Sequence, residues 1–397
     1  MEIFVVRQPI FKLNKQVYAY EMLHDEYAQE GGSSDVKAGS LLYTLHTANL
    51  DILSNGKPLF IRFSKEMLED EMISLFSNSK LVVEIQDFTK KEEDILREIK
   101  QLREAGCQIS INSSSRLDDL ENYLKWINYI KIDVSNTSED AIQVFKDRNK
   151  KNNVTMIADQ VENHEQYEIA KGFGFDLFQG FFFSKPEKMK SKGLTPLNIS
   201  YIQLLSRVND ESLNYNELTE IIMRDLSLTY SLLKSVNTLE YGLRREVDSV
   251  KDALIILGDR KIRKWLSMIL VKQLNHEKPE ELVRTSLIRA RFSELLTRET
   301  DLSNKSEAAF LAGLFSLLDV ILDRPMDELL EDIKISSEIK ESILTGRSKM
   351  GVIIKLVQAY EKADWDSVLR YADVINLRVK SIAESYMEAM SWYLQVI

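Results

Sequence analysis

The stretch Leu81-Val82-Val83-Glu84-Ile85 decides the class of fold. Its β-branched residues form a short apolar run of strand length, and a carboxylate interrupts the run near its carboxyl end. Helical patterns flank the run on both sides, as they do in a chain built from strand–helix units. A charged side chain at the end of such a strand indicates a functional rim, so Glu84 is the first candidate residue.

Similar units repeat from residue 3 to residue 183. The further strand candidates are Val17–Leu23, Leu59–Phe63, Cys107–Ile111, Tyr129–Ile132, Thr155–Ala158 and Leu177–Phe178. The helical candidates are Lys37–Leu53, Lys65–Phe76, Glu92–Glu104, Leu117–Trp126, Ser138–Asn149 and Glu165–Lys171. Successive strands can therefore lie parallel with right-handed crossovers, in a barrel or an open sheet. Polar residues recur at the strand ends, which favours a TIM-like (β/α) barrel, although the unit is short and we expect some trimming.

The pattern changes after Pro186. The segment Lys185–Pro196 contains two prolines, one glycine and four lysines, which is typical of an exposed hinge. From Leu197 to Ile397 the apolar residues recur with a helical period and show almost no alternation. We therefore predict an α/β domain over 1–190 and an all-helical domain over 197–397.

Composition limits the classes of partner and the compartment. The 397-residue chain has a formal net charge of −10 with mixed signs, so it presents no basic field for nucleic acid. Its one cysteine, Cys107, cannot form an internal disulfide, which fits a reducing cytosol. No signal-peptide pattern and no apolar stretch of about 18 residues is present. We expect a cytoplasmic protein that does not insert into a membrane.

Two groups of motifs resemble known families. Arg7-Gln8-Pro9-Ile10-Phe11, Glu21-Met22-Leu23 and the phrase from Gln179 to Pro186 resemble the EAL domain. In the second half, the phrases Asp225–Thr229, Leu232–Asn237 and Ala253–Gly258 resemble the HDOD domain. The ordered pair is similar to bacterial EAL–HDOD (YuxH-like) signalling proteins.

The EAL resemblance implies a cyclic di-GMP phosphodiesterase site with some residues replaced. Active members bind divalent metal through an asparagine and several carboxylates, and a metal-bound water is the nucleophile. Four positions match the family pattern: Glu21, Glu84, Lys131 and Gln179. A further glutamate, Glu162, lies three residues after Asp159 in the sequence. Four others depart from it: Arg62 replaces the asparagine, Asn112 and Ser113 replace paired aspartates, and Asp159 replaces a glutamate.

These replacements lead to a functional hypothesis. A site without the paired aspartates, and with a permanent charge at Arg62, predicts no metal, no cofactor and no enzymatic activity. The leading interpretation is a degenerate EAL domain in a non-catalytic signalling protein that acts as a protein-interaction scaffold or regulator. A cyclic di-GMP receptor without hydrolysis is the first alternative, and a weak metal-dependent phosphodiesterase is the second.

Arg62 and Lys131 each have two interpretations. We expect Arg62 to replace the lost cation and to reach Glu21 or Glu84 within hydrogen-bond range, about 2.7–3.2 Å; the alternative is a side chain extended into solvent. If the mouth holds no metal, a structural salt bridge is the better interpretation of Lys131.

The helical half lacks the chemistry of its catalytic relatives. No His-Asp pair occurs in it, and Ala312-Gly313-Leu314 stands where such a relative would carry one. Among its motif positions, Asn237 is expected to cap or cross-link helices and Gly258 to end or interrupt one. We therefore expect an interaction surface for other signalling proteins, and homodimerisation is left open.

Overall fold

The computed structural model describes residues 4–24, 50–63, 80–85, 92–104, 106–113, 117–180, 182, 196–210, 212–237, 247–275 and 278–396. The predicted helix Lys65–Phe76, all but the last residues of the predicted helix Lys37–Leu53, and the hinge up to residue 195 lie outside these ranges. The description below concerns only the ranges given.

Eight strands close into a barrel in chain order. The first strand is antiparallel to both of its neighbours, the second and the eighth, and all the other pairs are parallel. The strands are β1 Val5–Lys12, β2 Val17–His24, β3 Leu59–Arg62, β4 Leu81–Ile85, β5 Gln108–Ser113, β6 Tyr129–Asp133, β7 Thr155–Asp159 and β8 Leu177–Gln179. Because β2 to β8 run parallel, their carboxyl ends meet at one rim.

The structure corrects the sequence interpretation in two respects. The strand β1 was missed, because Arg7, Gln8 and Pro9 interrupt its apolar pattern; the prediction of a trimmed barrel is wrong for the same reason. Proline is tolerated at this point because pairing with β8 begins only at Ile10, so no bond to β8 requires the missing N–H. The predicted helix Leu117–Trp126 is a 3₁₀ turn over Leu117–Leu120 followed by turns.

The helices beside the barrel begin at side-chain caps where the sequence provides them. The helix over Glu139–Asn149 follows Ser138, whose hydroxyl accepts from the amide of Ala141 at 3.3 Å. The helix over His164–Phe173 follows Asn163, whose side chain accepts from the amide of Gln166 at 2.9 Å. The described helices here are α1 Leu50–Ser54, α2 Glu92–Glu104, α3 Glu139–Asn149 and α4 His164–Phe173.

Two apolar clusters support the barrel. The larger cluster lies between the strands and the surrounding helices, and it includes Val83, Ile109 and Ile132. The smaller contains one residue from each of seven strands, among them Phe60 and Tyr129. Alternation along each strand sends one set of side chains inward and the other outward, so the barrel is filled rather than hollow.

The second half is helical wherever the structure describes it, as predicted. Its helices are α5 Pro196–Val208, α6 Tyr215–Arg224, α7 Leu226–Val236, α8 Val250–Leu274, α9 Glu280–Arg298, α10 Ser306–Phe315, α11 Leu318–Leu322, α12 Met326–Asp332, α13 Ser337–Leu344, α14 Lys349–Glu361, α15 Trp365–Val374 and α16 Val379–Val396. None of these described helices combines the length and apolar character needed to cross a membrane.

The C-terminal helices contribute to the barrel unit. Packing divides the chain into one unit of Met1–Lys185, Gln358–Leu369 and Ile382–Ile397, and another of Pro186–Val357 and Arg370–Ser381. Within the first unit the Tyr360 hydroxyl donates to the carbonyl of Val5 at 2.9 Å, and the rings of Phe4 and Trp365 stack at 5.3 Å. The division into 1–190 and 197–397 stays a prediction about independent folding.

Candidate functional site

A buried ionic cluster occupies the carboxyl-terminal half of the barrel strands. Lys131 on β6 places its Nζ 2.7 Å from Oε2 of Glu21 on β2 and 2.7 Å from Oε2 of Glu84 on β4. The side chains of Lys131 and Glu84 are fully buried, and that of Glu21 is 4% exposed. One ammonium group therefore bridges two carboxylates from different strands in a water-poor environment.

Arg62 lies at the same end of the barrel but makes longer contacts. Its Nη2 is 3.8 Å from Oε1 of Glu21 and 3.8 Å from Oε1 of Glu84, and its side chain is 32% exposed. The predicted hydrogen bond from Arg62 to either glutamate is therefore not formed. Lys131 takes the short contacts because it projects from the opposite wall of the barrel into the interior, whereas Arg62 is the last residue of β3, at the rim.

Amide side chains also donate hydrogen bonds to the two glutamates. Gln179 Nε2 donates to Glu21 Oε2 at 2.5 Å and to Gln8 Oε1 at 3.0 Å. Asn112 Nδ2 lies 3.4 Å from Glu84 Oε1, a long hydrogen bond. The cluster is therefore held by amides as well as by opposite charge.

Burial and charge shift the pKa values of the cluster. Burial alone would raise the pKa of Glu21, but the Lys131 ammonium, together with Arg62 and the hydrogen bond from Gln179, outweighs burial and holds that pKa below its usual range. For Glu84, burial prevails, and with repulsion from Glu21 it raises the pKa despite the same ammonium. Burial would lower the pKa of Lys131, yet the two glutamates raise it, so the lysine stays charged. The structure thus makes Glu84 the more readily protonated of the two acids.

The remaining predicted positions divide into near and remote. Asp159 ends β7, and burial raises the pKa of its carboxyl while its charge helps to raise that of Lys131. Ser113 ends β5 opposite Ile132. Glu162 is exposed, and its backbone amide donates to Gln166 Oε1 at 2.7 Å, in the turn before α4. Glu162 is therefore a turn residue rather than a member of the cluster.

Sequence reasoning missed Gln8 as a member of the site. It lies directly opposite Glu21 in the β1–β2 register and accepts a hydrogen bond from Gln179. The motif Arg7-Gln8-Pro9 carried the signal, but a role for Gln8 required the antiparallel pairing of a strand that the sequence did not reveal.

Gly180 lets the chain turn immediately after the cluster. Its φ is 146°, in the region that favours glycine, and a Cβ atom there would lie 2.3 Å from the carbonyl oxygen of Val161. The amide of Val161 in turn donates to the carbonyl of Gln179 at 2.9 Å. A side chain at position 180 would push these backbones apart and displace Gln179.

The family pattern implies divalent metal at this end of the barrel, and the residues that the structure describes here do not form a metal cage. Within the described residues, no group of three or more His, Cys, Asp or Glu side chains is arranged to hold a metal ion. Instead, Lys131 contacts one oxygen of each glutamate and Arg62 is the nearest cation to the other. The positive charges that a metal would supply are already present on side chains.

The motif positions of the helical half have structural contacts. Asn237 ends α7, where its Nδ2 donates to the carbonyl of Val247 at 2.8 Å and its Oδ1 accepts from the amide of Val247 at 2.8 Å. Gly258 interrupts α8 with φ 70° and ψ 165°, so the helix is kinked there. Both geometries agree with the capping and interrupting roles expected from the sequence.

The barrel with its buried ionic cluster, followed by helices, defines the class of protein. The EAL domain family model matches residues 37–186, and the HDOD domain model matches residues 194–343. The chain carries an EAL domain followed by an HDOD domain. The matched range begins after Glu21, so the family model does not assign this residue to the site. Its place in the barrel follows instead from the pairing of β2 with β3.

Two relatives match along almost the whole chain. YuxH of Bacillus subtilis (strain 168) is 29% identical over 409 residues, covering 99% of this chain and 98% of YuxH. CdgJ of Vibrio cholerae serotype O1, named a cyclic di-GMP phosphodiesterase, is 26% identical over 396 residues, covering 98% of this chain and 92% of CdgJ.

Two solved structures match slightly less than half of the chain. Klebsiella pneumoniae BlrP1, in a manganese and cyclic di-GMP complex, is 17% identical with a TM-score of 0.40, covering 46% of this chain and 55% of that one. The EAL domain of Mycobacterium smegmatis DcpA is 17% identical with a TM-score of 0.38, covering 45% and 91%.

The comparison with CdgJ corrects the prediction that this chain is not an enzyme. A relative with the same extent along the chain is named a phosphodiesterase. The prediction relied on counting replaced ligands, and that count leaves out the residues that remain together, Glu21, Glu84, Lys131 and Gln179. Replacement of ligand residues changes the charge and the metal-binding groups of a site, and it does not by itself establish inactivity.

Proposed function

We propose that this chain acts in cyclic di-GMP signalling and binds the cyclic dinucleotide at the carboxyl end of its EAL barrel. The observation that carries the proposal is the convergence of Glu21, Glu84 and Lys131 in one buried cluster, with the partly exposed Arg62 beside it. A phosphodiester oxygen is a strong acceptor for a guanidinium, which can donate two parallel N–H bonds to it. Arg62 is 32% exposed, which leaves its charge accessible to such a ligand.

Hydrolysis of the bound dinucleotide is the second candidate, favoured by the match to CdgJ over nearly the full chain. The acids for such chemistry are present in Glu21, Glu84 and Asp159, and the pKa values of Glu84 and Asp159 are both raised by burial and by Glu21. A group with a raised pKa is suited to exchange a proton near neutral pH.

The HDOD half is proposed to contact other signalling proteins. Met223, Leu226 and Tyr230 are each at least 66% exposed along the end of α6 and the first turns of α7. Apolar side chains that are exposed close together in sequence are common in protein-contact surfaces. Their partner stays unassigned, and no binding experiment on the barrel depends on it.

Calorimetric titration of the full chain with cyclic di-GMP tests the proposal. One arm contains EDTA and the other Mg²⁺, and chromatography of the same samples measures any linear dinucleotide. We expect saturable binding that is weakened at least about tenfold in Arg62→Ala, the loss of one charge-assisted contact of about 1.5–3 kcal/mol. Lys171→Ala is the matched control, because Lys171 is an exposed cation of the same unit, and its described side-chain contacts, with Glu168 and the ring of Tyr167, are local.

The possible outcomes are separable. Absence of binding by the unaltered chain in both arms would refute the proposal. Equal weakening by Arg62→Ala and Lys171→Ala would place the dinucleotide elsewhere. Linear product in the Mg²⁺ arm, absent in Glu21→Gln, would establish the second candidate.

A further inference from the structure

The two glutamates of the cluster share their oxygens between two different cations. Lys131 Nζ contacts Oε2 of each glutamate at 2.7 Å, and Arg62 Nη2 lies 3.8 Å from Oε1 of each. The point between the two Oε1 atoms is thus where carboxylate oxygens from β2 and β4 converge, and the guanidinium is the nearest cation to both. A divalent cation that used both glutamates would have to take this position.

The guanidinium makes that position unfavourable for a second cation. When ionised, Glu21 and Glu84 carry two negative charges and Lys131 and Arg62 carry two positive ones, while Asp159 adds a further negative charge near Lys131. An arginine side chain does not lose its proton in a protein, so its charge cannot be removed by titration. A divalent ion between the two Oε1 atoms would lie next to a fixed guanidinium, in a site where charges interact more strongly than in water.

The two cations are not equally displaceable. Lys131 is fully buried and makes two contacts of hydrogen-bond length, so its removal would leave buried carboxylates unpaired. Arg62 is at the rim, is 32% exposed, and its contacts are longer than hydrogen bonds. Rotation of Arg62 into solvent costs less than displacement of Lys131.

We propose that Arg62 sets the divalent-cation affinity of the barrel site, because its guanidinium competes with the ion for Glu21 and Glu84. This inference concerns the site of the proposed function. Only the biological role of the site rests on that function, and the effect of Arg62 on divalent-cation affinity does not. A divalent ion could use both glutamates only if Arg62 turned outward, so its affinity would be lowered by the free energy of that displacement. Removal of the guanidinium therefore strengthens divalent binding.

The experiment is a titration of the full chain with Mn²⁺ alone, followed by electron paramagnetic resonance of the free ion. Arg62→Ala removes the competitor, Arg62→Lys retains a positive charge, and Arg62→Gln is a second neutral variant that keeps side-chain length. We expect the two neutral variants to bind Mn²⁺ at least about tenfold more tightly than the unaltered chain, a value discounted for the partial exposure of Arg62. Arg62→Lys is expected to stay within about threefold of the unaltered chain.

The control variant is Lys171→Ala, which removes an exposed cation of the same unit without touching the cluster. An increase in Mn²⁺ affinity equal to that of Arg62→Ala would show a general charge effect and overturn the proposal. No increase in either neutral variant, with unfolding temperatures confirming folded protein, would also overturn it. Because no dinucleotide is present, failure of cyclic di-GMP binding and failure of this inference are read from different measurements.

Discussion

Replacement of Lys131 by methionine is the most direct test of the barrel cluster. Methionine keeps the length and apolar stem of the side chain but removes the ammonium that lies 2.7 Å from Glu21 and from Glu84. Two buried carboxylates then remain, with Arg62 at 3.8 Å as their nearest opposite charge in the described cluster. Breaking a buried ion pair in this way costs about 3–5 kcal/mol, and Arg62 offsets only part of that cost because it is partly exposed.

The cost should depend on pH with a definite sign. Burial and Glu21 raise the pKa of Glu84, and removal of the ammonium raises it further. A carboxyl group whose folded pKa is raised contributes stability below its unfolded value, about 4.3, and loses that contribution as pH rises through the folded pKa. We therefore expect the penalty of Lys131→Met to be largest at pH 8 and smaller near pH 5.

The unaltered chain should show the opposite behaviour for Glu21. Lys131 lowers the pKa of that carboxyl against the effect of burial. Its contribution to stability is present above about pH 4.3 and is lost as pH falls through the folded pKa. Glu21→Gln is expected to flatten the acid side of the stability curve.

Hydrogen exchange of the amides of β6 and its neighbours is the suitable assay, because global unfolding of a chain with two compact units need not be two-state. The double variant Lys131→Met with Glu84→Gln supplies the internal control, and it should recover most of the lost protection because only one buried charge remains. A Lys131→Met chain as protected as the original at pH 8, or a penalty that does not change with pH, would refute the cluster as a charge-balanced unit.

Two further predictions concern backbone contacts. Gly180→Ala should destabilise the barrel by more than about 1 kcal/mol, because the new Cβ would lie 2.3 Å from the Val161 carbonyl oxygen. Gly172→Ala is the control and should be neutral or stabilising, since no atom lies within 4 Å of its Cβ position. Thermal unfolding of the two variants measures the difference in stability. Tyr360→Phe should cost about 1 kcal/mol of stability, because it removes the buried 2.9 Å hydrogen bond to the Val5 carbonyl. We expect faster amide hydrogen exchange confined to the first strand of the barrel and the helix that contains Tyr360. Unchanged exchange there would show that the hydrogen bond adds no stability.

The barrel strands were largely predictable because they carry local signals. Apolar β-branched runs of four to six residues stand between polar turns, and the observed bounds of β4 agree with the sequence interpretation. The strand β1 carries no such signal, because Arg7, Gln8 and Pro9 interrupt its apolar pattern. Their positions in a strand make sense only from the contacts that they form in the folded barrel. Arg7 donates to the carbonyl of Leu53 at 2.9 Å and lies over the ring of Tyr20.

The members of the site were predictable and their contacts were not. The family resemblance placed Glu21, Glu84, Lys131 and Gln179 in one site. It left salt bridges open for both Arg62 and Lys131, and it expected Arg62 within hydrogen-bond range of a glutamate. Which of the two cations reaches the carboxylates depends on whether its side chain points into the barrel and on its height along the barrel axis. Both properties are set when the barrel closes. Lys131 reaches the interior from β6, and Arg62 ends β3 at the rim.

By itself, the sequence determined the class of each half, because secondary-structure period and strand-end chemistry are local properties. It also determined which charged residues could meet at the barrel rim. Only the tertiary structure decided that β1 closes the barrel, that residues 358–369 and 382–397 pack with the barrel unit, and that a buried ammonium holds two carboxylates together. These depend on contacts between residues far apart in the sequence, from 47 positions for Lys131 and Glu84 to 355 for Tyr360 and Val5. The free energy of a charge there is set by burial and by neighbours that the chain brings close only on folding.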